Sequence, residues 1–427
     1  MFGSKSLTEA AVQKRETDIE LLLAEVNASS ASARSAWILL IALEAYFLIA
    51  LAGISHRDLL LNTPVAQPIL QVSIPLRSFI LFGPVVLLAM QAGVLQQHII
   101  LARKLKALDA LFAANEFPAL SHPGRLRVNS YYFSQIEAGP ETNLVLRGCF
   151  RAMDWLFLRL VPVGLLLAFQ ITYLPSHDLE ITGWHRFYVL VSLLMVAGAS
   201  SFLAGLDKVY PGSETLTRDS VLRKFAAGFA ATAVMVFSVA IATIPGEWID
   251  RLLGSVEAVA APVPYQGLGN VTHTPPPGAR GRTAFAPTAF LFEGEVDDWT
   301  RRRTSLFSRN LIVMDEDLVR DQETSSGETS LSLRGRDLNF ANFDRSDMHR
   351  ADLTDSSLKG ASFVDANLEN AKLVRVRMQG ADLSFARLAG AFTQGVLLDG
   401  ARLCAGDTPL PIETSTGIER IPCGRDR

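Results

Sequence analysis

Apolar positions dominate the chain up to Pro245, in runs long enough to cross a bilayer, and the pattern then changes twice. A helix needs roughly 20 residues to span about 30 Å of hydrocarbon. Five stretches approach this length: Ala36–Ile54, interrupted only by Glu44; Phe79–Leu95, containing Pro84 and Gln91; Leu156–Leu174, with Arg159 and Pro162 near its start; Tyr188–Leu206; and Phe225–Ile244, closed by Pro245 and Gly246. The third is the weakest, because its uncharged part, Leu160–Leu174, has only 15 residues. It spans only if Arg159 snorkels to the interface. Residues 1–35 are polar and predicted helical, with Ile19, Leu22, Leu23 and Val26 on one face. No basic region runs straight into an apolar core there, so no cleavable signal peptide is expected.

Residues 36–245 therefore read as a transmembrane helical domain of about five spans, with its longest loop at 101–154. Lys and Arg fix the expected orientation. The N-terminal segment and the second and fourth loops hold fifteen of them, against four in the first loop, the third loop and the twenty residues after Ile244. The N-terminus is then cytoplasmic, and five spans put the C-terminal domain outside. An even number of spans would reverse that side.

Residues 246–300 change character. Gly246–Val259 is amphipathic, with Trp248 and Leu252-Leu253 suited to an interface. Pro262, Pro264 and Thr274-Pro-Pro-Pro-Gly278 cannot hold a helix or a ladder, and predict a semi-extended spacer. Residues 301–337 lead into the next domain. They include a basic cluster, Arg301–Arg303, an alternating stretch, Leu306–Leu318, that suggests a capping strand, and Leu331-Ser-Leu333, which suggests one more irregular coil.

Over 338–403 the period becomes five. The large residues are Leu338, Phe343, Met348, Leu353, Leu358, Phe363, Leu368, Leu373, Met378, Leu383, Leu388, Leu398 and Leu403, with Thr393 the one break. Two positions before each stands a small residue, mostly Ala or Ser, with Arg336, Val376 and Val396 the exceptions. A period of five fits neither a helix nor a strand and demands a stacked repeat. One large and one small side chain per unit face inward, and three polar ones face solvent. Thr393, beside Phe392, is expected to bend or bulge the stack.

Units such as Ala351-Asp352-Leu353-Thr354-Asp355 and Ala366-Asn367-Leu368-Glu369-Asn370 resemble the A(D/N)Lxx motif of the pentapeptide-repeat family. The resemblance covers about a sixth of the chain. It implies a right-handed quadrilateral β-helix with four repeats per coil, here a rod about 17 Å long at roughly 4.8 Å per stacked strand. The chain as a whole resembles a bacterial membrane-anchored pentapeptide-repeat protein, which implies a multi-pass protein of the inner membrane with the solenoid periplasmic.

Composition changes the picture in a few respects. Charged residues make up 19% of the chain and hydrophobic ones 49%, against about 25% charged in ordinary soluble domains. The net charge of −3 argues against a nucleic-acid partner. Some pentapeptide-repeat proteins mimic DNA, but Arg334–Leu403 holds ten basic and nine acidic residues, so the surface lacks the necessary negative surplus. Three cysteines exclude a disulfide-dense scaffold. Cys404 and Cys423 bracket the tail 404–427, which is expected to cap the last coil and to be closed by a disulfide, in keeping with an oxidising compartment. Cys149 is expected to be a free thiol.

Candidate chemistry is sparse. Glu44 is the one acid deep in a span, where a carboxylate needs a partner, a proton or water, and Arg159 is its nearest candidate partner. Small residues at Ala197, Ser201, Gly205, Ala227 and Ala231 allow close helix packing or self-association. His56, Asp58, His177, Asp178, Glu180 and His185 gather in the first and third loops, but at no metal-binding spacing. No catalytic or nucleotide-binding signature is present, so neither enzyme activity nor a cofactor is expected. The reading that follows is a membrane protein displaying its solenoid to an unidentified protein partner. The alternative is an ion-conducting, transport or membrane-permeabilising bundle that works through Glu44. The 101–154 loop, with Asn129-Ser-Tyr-Tyr-Phe133, is a further candidate receiver of a signal.

Overall fold

Helix α1 runs without a break from Phe2 to Ala52 in a computed structural model that describes residues 2–67, 72–113, 123–138, 144–209, 221–244, 247, 309–319, 330–404 and 419–421. The expected boundary at residue 35 is not there. Asn27–Ser35 contains neither Pro nor Gly, so no residue interrupts the hydrogen-bond ladder. At 1.5 Å per residue α1 is about 77 Å long, far more than one bilayer crossing requires. The first loop holds α2 (His56–Leu61) and a hairpin of β1 (Pro64–Gln67) with β2 (Val72–Pro75). Then follow α3 (Leu76–Ala113), α4 (Tyr132–Ala138), α5 (Leu144–Trp155), α6 (Val161–Tyr173), α7 (Leu179–Val209) and α8 (Val221–Ile241).

Among the described residues four stretches are long and apolar enough to cross a membrane: Gln13–Ala52, Leu76–Phe112, Val145–Ser176 and Leu179–Leu206. The third, weakest by sequence, is long because α5 continues through a π turn at Leu156–Leu160 into α6. The fifth predicted span is α8, whose 21 residues would reach about 32 Å. Its described side chains make a shorter apolar stretch, Ala227–Ala240.

Two prolines set how these helices are joined. A proline has no N–H for the carbonyl four residues earlier. Pro84 therefore frees the Ile80 carbonyl, and His185 of α7 donates to it from Nε2 at 3.0 Å. Pro162 frees the Leu158 carbonyl, and Gln91 of α3 donates to it from Nε2 at 3.1 Å. Gln91 then accepts from Ser192 Oγ of α7 at 2.8 Å. Gln91, which interrupts a predicted span, and His185 thus pair the carbonyls that the prolines leave open, as burial in lipid requires. A cluster of Phe47, Phe79 and Phe169 packs alongside. Gly83 is needed there, since a Cβ would come within 2.8 Å of the Phe169 ring.

The chain divides into two compact units: residues 1–53, 77–169 and 184–238, and residues 54–76, 170–183 and 239–427. In the first, the α1 face anticipated from sequence is buried at Ile19, Leu23 and Val26. It packs with Leu101, Leu105, Leu108 and Phe112 of α3 and with Tyr131–Phe133. The Asn129–Phe133 motif is folded into this core. Asn27 Oδ1 accepts from the Asn129 N–H at 2.8 Å, and Tyr131 Oη lies 2.9 Å from His98 Nε2.

In the second unit, from Ser332 on, parallel bridges link one residue of each pentapeptide to the one twenty positions later, as in Asp352–Lys372–Phe392 and Ser362–Asp382–Arg402. Twenty residues is four pentapeptides per coil. All the large positions named above are buried, from Leu338 to Leu403, while Thr393 is half-buried. Each unit turns at its last two residues. The next small residue donates back to the large one, as Ser356 N–H does to the Leu353 carbonyl at 3.0 Å. The last residue of the turn is left-handed, as at Asp355 (φ 63°) and Asn370 (φ 56°). The Asp or Asn before the large residue accepts the N–H two positions on, as Asp352 Oδ1 does from Thr354. That bond accounts for the acidic-or-amide preference in the motif.

Three expectations need correction. The solenoid begins before 338: Ser332 and Asp337 are regular faces, and Ile312 and Asp317 bridge to Asn342 and Asp347. Leu311–Val319 is therefore part of the coil rather than a capping strand. Its offset of thirty residues instead of twenty marks ten extra residues inserted after that first pair of faces. Finally, Thr393 makes no bulge, since Phe392 keeps its bridge to Lys372 and Val396 N–H still reaches the Thr393 carbonyl. At the far end β3 (Arg402–Cys404) pairs in parallel with β4 (Glu419–Ile421), so a tail strand does stack on the last coil.

Candidate functional site

The solenoid's first coils are fastened to the loops 54–76 and 170–183. Arg336, an exception to the repeat, explains itself here. A small residue would fill the interior at that position, but Arg336 reaches out to donate to the Leu60 carbonyl at 2.5 Å and the Leu59 carbonyl at 3.3 Å. These two acceptors lie at the end of α2, where helix carbonyls lack partners. Helix α2 is itself fixed by a capping box between Ser55 and Asp58. Burial works against the Asp58 charge, but hydrogen bonds from Ser55 and Thr63 hold its carboxyl below the usual range.

Two histidines complete the contact. The Ile312 N–H donates to His56 Nδ1 at 2.8 Å. His177, buried, places Nε2 2.9 Å from the Arg309 carbonyl and Nδ1 3.5 Å from Asp337 Oδ1. Burial pushes the Asp337 carboxyl up, yet the hydrogen bond and charge of His177 bring it below the ordinary value. Arg57 and Glu316 add an outer ion pair at 3.7 Å. Asp178 caps α7 by accepting from Glu180 and Ile181 N–H. Of the loop side chains that are metal candidates by type, His56 and His177 are thus occupied in docking, Asp58 and Asp178 in capping, and His185 on the Ile80 carbonyl. Among the described residues no group of three or more could hold a metal ion.

The outer columns of the solenoid grade along its axis. Asp317, Asp337, Asp347 and Asp352 stand on the first coils, Lys372, Arg377 and Arg387 further on with Asp382 among them, and Phe392 and Leu397 on the last beside Arg402. Phe392 is 58% exposed and Leu397 42%, an apolar pair on adjacent faces. Two bidentate pairs, Arg375 to Asp355 at 2.6 and 2.7 Å and Arg345 to Asp315, tie neighbouring coils.

Residues 331–360 and 361–403 match the family of pentapeptide repeats, in eight copies. The C-terminal solenoid is a pentapeptide-repeat domain. Solved structures similar to it include a pentapeptide repeat protein from the thylakoid lumen of Arabidopsis thaliana, at 26% identity over 22% of this chain and 57% of that one, with a TM-score of 0.19. A pentapeptide repeat protein from Nostoc is 28% identical over 17% of this chain and 61% of its own, with a TM-score of 0.17. HetL, a Nostoc pentapeptide repeat protein involved in heterocyst differentiation regulation, is 25% identical over 21% and 46%, with a TM-score of 0.11. The chain thus spans less than two thirds of each of these proteins. No curated protein matches it.

Beyond the pentapeptide-repeat domain, the expected Glu44–Arg159 pairing is not formed. Arg159 faces Asp154 at 3.4 Å, five residues back across the π turn. Glu44 is 3% exposed, and both carboxylate oxygens lack a hydrogen-bond partner among the described residues. Cys149 is free and exposed. Cys423 and the spacer 248–308, with its basic cluster, lie outside the described residues, as does any pairing of Cys404 with Cys423. Sequence reasoning missed two features whose signals were present: the two prolines, each pointing to a free carbonyl four residues earlier, and the arginine at a position reserved for alanine.

Proposed function

We propose that this is an integral membrane protein that holds a pentapeptide-repeat solenoid against its own loops and offers the last coil to a protein partner. The observation that carries the reading is the division of labour along the domain. Its first coils are engaged with loops 54–76 and 170–183, while Phe392 and Leu397 stand exposed at the other end. Apolar surface flanked by arginines is the composition of a binding centre. Catalysis is not part of this reading.

The docking also bears on sidedness. Loops 54–76 and 170–183 follow the first and third spans, so both lie opposite the N-terminus. A solenoid seated on them lies on that side too, which requires α8 to cross. The charge distribution makes that side the outside, and in an inner membrane the periplasm. Impermeant thiol labelling of Cys404 and Cys423 in intact cells, before and after reduction, tests the side: labelling of the reduced pair only after permeabilisation would sink it. For the platform, a photo-crosslinker at Phe392 should capture a discrete partner that one at Ser332 does not, and Phe392→Asp with Leu397→Asp should abolish capture. Equal capture from both positions would remove the reading.

A second reading rests on Glu44. A buried carboxylate without a hydrogen bond inside a span is a typical mark of ion or proton passage. Flux through liposomes containing the full chain, lost on Glu44→Gln, would support it. Flux indifferent to that change would end it.

A further inference from the structure

Helix α5 has an exposed apolar face although it lies outside the stretch that hydrocarbon can cover. Counted back from Ser176 at 1.5 Å per residue, about 30 Å of hydrocarbon is used up near Leu156. The twelve residues of α5 lie beyond that point. Along their outer side Val145 is 74% exposed, Leu146 40% and Trp155 54%, with Cys149 and Ala152 exposed between them. On the inner side Phe150 packs on the buried core. In water such a helix would leave a continuous apolar strip uncovered.

The two arginines of α5, on the flank of this strip, differ from the basic residues around them. Arg125, Arg127, Arg159, Lys104 and Lys106 all face carboxylates. Arg147 and Arg151, one turn apart on α5, face none among the described residues, and Arg147 Nε is buried without a hydrogen bond. Two guanidinium groups at this spacing present several N–H donors to one tetrahedral oxyanion. The helix is also joined directly to a spanning helix. Trp155 stands at the junction, where tryptophans settle in bilayers, and the π turn that follows supplies a point of redirection between the two segments.

We propose that α5 lies in the headgroup layer with its outer face on the bilayer, and that Arg147 and Arg151 bind the phosphate of an anionic phospholipid. The apolar strip supplies contact with the acyl boundary, and the two arginines supply the preference for negative headgroups.

Cys149 sits on this strip and is a native labelling site. The test uses the full chain with Cys404→Ser and Cys423→Ser, labelled at Cys149 with a bimane fluorophore and reconstituted in nanodiscs. Brominated phosphatidylglycerol should quench the label more than brominated phosphatidylcholine. That preference should fall about fivefold for each arginine removed in Arg147→Gln and Arg151→Gln, and it should survive in Arg147→Lys with Arg151→Lys. Equal quenching by the two lipids in the unsubstituted chain would overturn the phosphate site. Quenching by aqueous iodide but by neither lipid would overturn the surface placement, and would leave a protein partner as the cover for the strip. If the glutamine variants do not fold, raising the salt should still erase the lipid preference of the parent chain; a salt-independent preference would also refute the proposal.

Discussion

Single residues in the solenoid carry consequences that the repeat pattern alone does not assign. Gly335 and Gly360 occupy equivalent left-handed corners, at φ 65° and 64°. A Cβ at Gly360 would meet the Phe340 ring at 2.8 Å, while one at Gly335 meets nothing within 4 Å. Gly335→Ala should therefore cost only the conformational penalty of about 1–2 kcal/mol, and Gly360→Ala should cost about 1–3 kcal/mol more for the displaced ring. Thermal unfolding of the full chain checks the order. Asp337 makes a pH prediction. Its carboxyl is held below the ordinary 3.8 when folded, so its stabilising contribution is present above that value and is lost as pH falls through the folded pKa. Hydrogen-exchange protection in residues 54–61, corrected for the intrinsic exchange rate, should fall as pH drops below about 4, and Asp337→Asn should flatten that fall. An unchanged profile would separate Asp337 from the docking.

At the scale of elements, the prolines and their partners form testable couplings. Pro84→Ala restores an N–H for the Ile80 carbonyl and makes the His185 bond redundant. His185→Ala should destabilise the parent chain and do much less harm in the Pro84→Ala background. The coupling should be about 0.6–1.7 kcal/mol, the range of side-chain hydrogen bonds between membrane helices. Additive effects would show that His185 serves another purpose. The elements themselves were legible to different degrees. The pentad register was plain because every fifth residue repeats the same inward task. The first faces, at Ile312 and Asp317, were hidden because the extra residues before Ser332 break that count. The length of α1 was hidden because its Ser- and Ala-rich middle, Asn27–Ser35, carries neither a stop signal nor a span signal. The third span looked short because Arg159 counts as a charge in sequence, while in the structure it is paired with Asp154.

For the molecule as a whole, the docking was illegible for a simple reason: its partners stand far apart in the chain, 132 residues for His177 and Arg309 and 256 for Ile312 and His56. Periodicity reports what a segment does for itself, not which distant carbonyl an arginine will meet. If docking shields the loops, a chain ending before Arg309 should lose protection in 54–76 and 170–183 to protease added from the solenoid's side, while the intact chain resists. Equal cleavage of both would mean that the contact does not persist in the membrane. The pairing of proline-freed carbonyls also bears on how the chain is made. The Ile80 carbonyl is completed by a residue 105 positions later. At about 5–20 residues per second of synthesis, α3 waits several seconds before α7 emerges from the ribosome. Until then it carries a polar group that lipid cannot satisfy. The nascent helix should therefore stay beside the insertion machinery rather than move into the bilayer alone. Ribosome-stalled chains ending before His185 should crosslink to that machinery through α3, and Pro84→Ala should release them early.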